Sequence, residues 1–71
     1  MNFSERLKEL RLLKGISQAT LAKDINTTDT SIQRYEYGQR TPPLDMLIAL
    51  ADYFDVSIDY LVGRSDNPAR L

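Results

Sequence analysis

Residues 17–38, SQATLAKDINTTDTSIQRYEYG, constrain this chain more than any other stretch. They read as two short helices joined by a tight turn. Ser17 is a good N-cap for the first, which runs from about Gln18 to Ile25 and puts Leu21, Ala22 and Ile25 on one side. Asn26 follows at once. After Gly, Asn best tolerates the left-handed conformation that closes a helix, so positive φ is expected there. Thr27 and Thr28 offer hydroxyl caps for a second helix reaching about Tyr37, with Gly38 as its stop. Ile32, Tyr35 and Glu36 share one side of this helix, and Asp29, Thr30, Gln33, Arg34 and Tyr37 stand on the other.

The second side differs from an ordinary solvated helix face, which is rich in Glu and Lys. It carries short hydroxyls, an amide and a guanidinium. Such groups hydrogen-bond to base edges and phosphates.

The stretch resembles the helix-turn-helix of phage repressors and their bacterial relatives, the Cro/repressor (Xre) family. Gln18 opens the first helix, the small Ala22 lies where the helices cross, and Asn26 makes the turn. Ile32 and Tyr35 enter the core and Gly38 ends the motif. The likeness extends outward to Leu10-Arg11 and to PPLDMLIALADYFDVSIDYLVG, covering roughly residues 3–63. The family most often has Gly at the turn, where this chain has Asn26.

Elsewhere the pattern is helical throughout. Residues 3–14 form a first helix with Ser4 as cap, Glu5 in the first turn and an apolar stripe of Phe3, Leu7, Leu10 and Leu13, closed by Gly15. Residues 39–43, QRTPP, form a loop stiffened by Pro42 and Pro43. Arg40 in that loop is either a phosphate contact or a solvated cation. Residues 44–55 are a fourth helix with Leu44, Leu47, Ile48, Ala51 and Phe54 inward and Leu50 beside them. Ser57 caps a short fifth helix bearing Ile58, Leu61 and Val62, ended by Gly63. The expected fold is all-α: five helices in an orthogonal bundle over residues 1–63, then a frayed tail or the beginning of a linker at 64–71. The resemblance makes this a lambda-repressor-like DNA-binding domain.

Composition narrows the chemistry. The chain has no Cys and no His, hence no thiolate and none of the commonest general base and metal ligand. Its three Gly are scattered, so no phosphate-cradling loop exists. An enzyme is not expected, nor a cofactor or metal. No apolar run approaches the roughly 20 residues of a membrane span, and a cytoplasmic protein is expected. Net charge is −1, which alone argues against nucleic acid, but it is unevenly spread. Residues 1–40 hold seven Lys/Arg and five Asp/Glu; residues 41–71 hold two Arg and five Asp.

The resemblance implies a transcriptional regulator, a repressor reading a near-palindromic double-stranded DNA operator as a homodimer. The second motif helix would enter the major groove. Ser17, Gln18 and Thr28 would meet phosphates at the helix N-termini. Asp29, Thr30, Gln33 and Arg34 would meet base edges, with Tyr37 beside them. Asp29 has two readings, acceptor from cytosine N4 or cap of its own helix. The resemblance also pairs Arg11 with Glu36 and puts the dimer contact at Ile58 and Asp59. A DNA-binding antitoxin or a protein-interaction module of the same fold are the alternatives, favoured by the acidic second half. The operator sequence and any protein partner or inducer are not legible.

Overall fold

A computed structural model describes residues 1–70. The five helices are α1 (Phe3–Lys14), α2 (Gln18–Asp24), α3 (Asp29–Glu36), α4 (Leu44–Phe54) and α5 (Ile58–Leu61), and no strand occurs among the described residues. Each helix is followed by a residue with positive φ: Gly15 (72°), Asn26 (61°), Gly38 (73°), Asp55 (55°) and Gly63 (84°). At each stop an amide bonds back to a carbonyl in the last turn. Thr27 N–H donates to Ala22 O at 2.8 Å, Gln39 N–H to Arg34 O at 2.9 Å and Arg64 N–H to Asp59 O at 2.8 Å. These bonds satisfy carbonyls that a helix end leaves without partners.

The helix starts are capped as locally. Ser17, Thr28 and Ser57 oxygens accept from the amides of Thr20, Ser31 and Tyr60. At α1 the expectation of a Ser4 cap is corrected. Asn2 is the cap: its side chain accepts from Glu5 N–H at 2.9 Å, and Glu5 accepts from Asn2 N–H at 3.1 Å. This reciprocal pair satisfies two amides where Ser4 would satisfy one. Pro43 precedes α4 without a side-chain cap, and its carbonyl accepts from the Leu47 amide.

Leu7, Leu21, Ala22, Ile32, Tyr35, Leu50, Ala51, Val56 and Leu61 form the buried core. Phe3 packs edge-on against Tyr35, ring centres 6.4 Å apart. Two expected stripes are rotated. Leu13 is 76% exposed, because the step of about 100° per residue puts it a quarter turn from Phe3, Leu7 and Leu10. On α4 the inward direction runs through Leu47, Leu50, Ala51 and Phe54, so Leu44 (67%) and Ile48 (43%) face solvent. Arg6, not singled out by the sequence reading, is buried at 4% exposure, its guanidinium 3.6 Å from the Tyr60 ring centre.

After Gly63 the described residues, to 70, run back along α5 and α4, and Leu71 of the expected tail lies outside them. The amides of Arg64 and Ser65 donate to Asp59 O, and Ser57 N–H donates to Pro68 O at 3.0 Å. Arg70 then reaches Asp52 and Asp55 on α4.

Candidate nucleic-acid interface

The motif is held together by one buried carboxylate. Arg11 Nε donates to Glu36 Oε2 at 2.7 Å and Arg11 Nη2 to Glu36 Oε1 at 3.0 Å, a two-pronged pair. Gln18 Nε2 adds a third bond to Glu36 Oε1 at 3.1 Å, and Arg11 Nη1 donates to Ile16 O at 3.0 Å. The side chains of Arg11 and Glu36 are 10% and 2% exposed. Glu36 therefore ties α3 to α1 and to the start of α2. The hydrogen bonds to Glu36 hold the Arg11 guanidinium above its ordinary pKa, so it stays charged at any working pH. Ion pairing alone was expected of Glu36. That Gln18 also serves it has no sequence signal, since Gln18 suits a phosphate contact equally well.

With the inner side fixed, the outer side of α3 is presented to solvent. Asp29, Thr30, Arg34 and Tyr37 are exposed and Gln33 is half-buried. They recur at i, i+1, i+4, i+5 and i+8, a single helix face. Arg34 makes no ion pair among the described residues, so its fork is free. Asp29 Oδ1 accepts from Thr30 N–H at 3.0 Å, engaging one carboxylate oxygen with its own helix start. Thr28 Oγ1 caps Ser31 and Ser17 Oγ caps Thr20, each at the N-terminus of its helix.

Flanking this face, Lys8, Arg11, Ser17, Gln18, Glu36 and Tyr37 line a cleft of about 310 Å3 between α1, the start of α2 and the end of α3. Lys8 was not among the site residues read from the sequence. It sits on α1, which reads as a core helix, and only packing shows that its exposed side borders the motif. Arg40 is exposed in the loop, its guanidinium 5.9 Å from the Tyr35 ring centre. Of the seven cations of residues 1–40, Arg6 and Arg11 are buried and Lys14 lies over the Tyr53 ring, while Lys8, Lys23, Arg34 and Arg40 are exposed. Ile58 (40% exposed) and Asp59 lie far along the chain, at α5, where they line a separate groove with Ile48 and Val56.

Two packed helices with Ala22 buried on the first, a left-handed Asn26 between them and an exposed polar face on the second define a helix-turn-helix domain. The comparisons agree. The profile of the helix-turn-helix family matches residues 7–61, and the chain belongs to that family, of the Cro/repressor (Xre) kind. It is 38% identical over 66 residues to the uncharacterized HTH-type transcriptional regulator YobD of Bacillus subtilis, covering 93% of this chain and 59% of YobD. It is 38% identical over 64 residues to the cryptic phage CTXphi transcriptional repressor RstR of Vibrio cholerae, covering 90% of this chain and 57% of RstR. Thus it spans less than two thirds of these relatives. Its fold is similar to that of the P22 c2 repressor, solved with a synthetic operator: TM-score 0.86, 28% identity, 92% of this chain and 98% of that one. No helix among the described residues is long and apolar enough to cross a membrane.

Proposed function

We propose that the chain is a sequence-specific double-stranded DNA-binding domain that represses transcription. The observation that carries this reading is the outer face of α3, where Arg34 and its neighbours are exposed while Glu36 is locked inward. α3 lies in the major groove. Arg34 reads a guanine through two hydrogen bonds, and Thr30 and Gln33 meet neighbouring bases. Asp29 Oδ2, left open by the helix-capping bond of Oδ1, accepts from a cytosine amino group. Lys8, Arg40 and the helix starts at Ser17, Gln18 and Thr28 meet phosphates. The P22 c2 repressor bound to its operator and the repressor RstR support this direction. Such a role needs no catalysis and no cofactor, and it places the chain in the cytoplasm.

One α3 spans too few base pairs to select a genomic site, so two copies act together on half-sites about 34 Å apart. The partly exposed Ile48 and Ile58 make the contact between copies. The exposed apolar area is small, and the homodimer is weak in solution and assembles on DNA.

Selection of bound sequences from random duplexes, at stated salt, tests the reading and returns a two-fold operator. On that operator Arg34→Ala weakens binding by about 1–3 kcal/mol and relaxes one base pair per half-site, and Arg34→Lys restores it only in part. Equal loss on selected and random DNA makes Arg34 a phosphate contact instead. Failure of any duplex to be enriched, with a single protein recovered as partner, overturns the DNA reading in favour of a protein-binding module. Ile58→Asp weakens the full operator and spares an isolated half-site; equal loss on both refutes the placement of the contact.

A further inference from the structure

The returning tail ends on the same surface as Ile58. Arg64 and Ser65 are tied to Asp59, Pro68 to Ser57, and the Arg70 guanidinium to Asp52 and, at 3.5 Å, Asp55. Together these bring the Arg70 cation to the rim of a groove of about 320 Å3 floored by Ile48, Val56 and Ile58. Apart from Arg70 the charged residues lining or bordering this groove are all carboxylates: Asp52, Asp55 and Asp59.

We propose that Arg70 is what allows this acidic face to meet a second copy of itself. The inference rests on the reading of the α4–α5 face as the contact between copies. A two-fold contact brings each carboxylate cluster toward its own image. Without Arg70 each copy presents a charge of about −3 at the rim; with it, about −2. Repulsion scales with the product of the charges, so Arg70 reduces it roughly from nine to four in relative terms. The arrangement is specific to this stretch of chain: Ser57, Asp59 and Pro68 hold the tail so that residue 70 falls between residues 52 and 55, one helical turn apart. The hydrogen bond to Asp52, with the neighbouring Asp55, also holds Arg70 above its ordinary pKa, and its charge is permanent.

The test uses the whole chain with Arg70→Ala, Arg70→Lys, and Arg70→Ala combined with Asp52→Asn and Asp55→Asn. Self-association is read by sedimentation at high protein concentration, and coupling between half-sites by titration of full and half operators. Arg70→Ala is expected to weaken both by about fivefold at low salt, the scale of one exposed ion pair per copy, with half-site affinity and helix content unchanged. Arg70→Lys retains most of the association, and the two Asn substitutions restore it in the Ala background. The difference shrinks near 0.5 M salt, where charges are screened within about 4–5 Å. If Ile58→Asp abolishes association while Arg70→Ala leaves it intact, the role of Arg70 is wrong and the dimer face stands. If neither variant alters association, the face itself is misassigned. If Arg70→Ala weakens association but the Asn pair does not rescue it, the tail acts through packing and the charge argument fails.

Discussion

Replacing Glu36 by Ala removes the one carboxylate that joins three helices. Its side chain accepts three hydrogen bonds, two from Arg11 and one from Gln18, and is 2% exposed. The Arg11 side chain, 10% exposed in the parent, is left in the variant with only the Ile16 carbonyl at 3.0 Å as partner. Stranding one member of a buried pair costs about 3–5 kcal/mol. A domain of 71 residues holds only roughly 4–10 kcal/mol in total. We therefore expect Glu36→Ala to lower stability by about 3 kcal/mol and Tm by roughly 12–24 °C. Arg11→Met is expected to cost a similar amount, because it leaves the Glu36 carboxylate, 2% exposed, with only Gln18 as donor. The double variant Arg11→Met/Glu36→Leu replaces the pair with apolar groups of similar size and recovers most of the loss. Urea unfolding of the parent, Arg11→Met, Glu36→Leu and the double variant completes a double-mutant cycle. A coupling energy below about 0.5 kcal/mol refutes the reasoning, since it means the two side chains act independently. Operator affinity of the double variant asks a second question. If it is stable yet binds weakly, the pair also aims α3.

Gly63→Ala is expected to destabilise by more than the roughly 1–2 kcal/mol of a left-handed non-glycine residue, because the new methyl meets the Met1 carbonyl as well; thermal melts equal to the parent refute this. Tyr53 donates its hydroxyl to Asp24 at 2.6 Å, and this bond raises the phenol pKa above its ordinary 10.0. The unfolded chain then loses that proton first, so the contribution is complete below about pH 10 and disappears as pH rises through the raised value. Melting from pH 8 to 11 should show a steeper alkaline loss for the parent than for Tyr53→Phe, and parallel curves contradict the assignment.

The local features were legible because their causes are local. Ser17, Thr28 and Ser57 cap helices through amides three residues on, and Asn26 adopts positive φ because the turn demands it. Positions that depend on packing were not. Leu13, Leu44 and Ile48 satisfy a helical apolar pattern, yet only the neighbouring helices decide which side is inward. Arg6 reads as a surface cation in sequence, and its burial depends on Tyr60, more than fifty residues away. The turn of the tail toward Arg70 depends on an amide of Ser57 left without a partner in the connection before α5. At the site the same division holds: the α3 face follows from spacing, whereas Lys8 and the bond from Gln18 to Glu36 come from the way α1 and α2 meet.

The left-handed stops bear on how quickly this chain can find its structure. Each is closed by hydrogen bonds reaching back no more than five or six residues, from Gly15 and Ile16 to Arg11 and Leu12, through to Gly63 and Arg64 to Tyr60 and Asp59. The ends of the helices are thus encoded before any helix meets another. A search that begins with nascent segments of correct length has only their docking left to solve, and α2 and α3, which pack together, are separated by only four residues. Domains dominated by such near-neighbour contacts fold on the scale of microseconds to milliseconds. Asn26 and Asp55 are the two stops without glycine, so those reversals carry strain of about 1 kcal/mol that the other three avoid. Glycine at either position should ease closure of its own corner, the one before α3 at Asn26 and the one before α5 at Asp55.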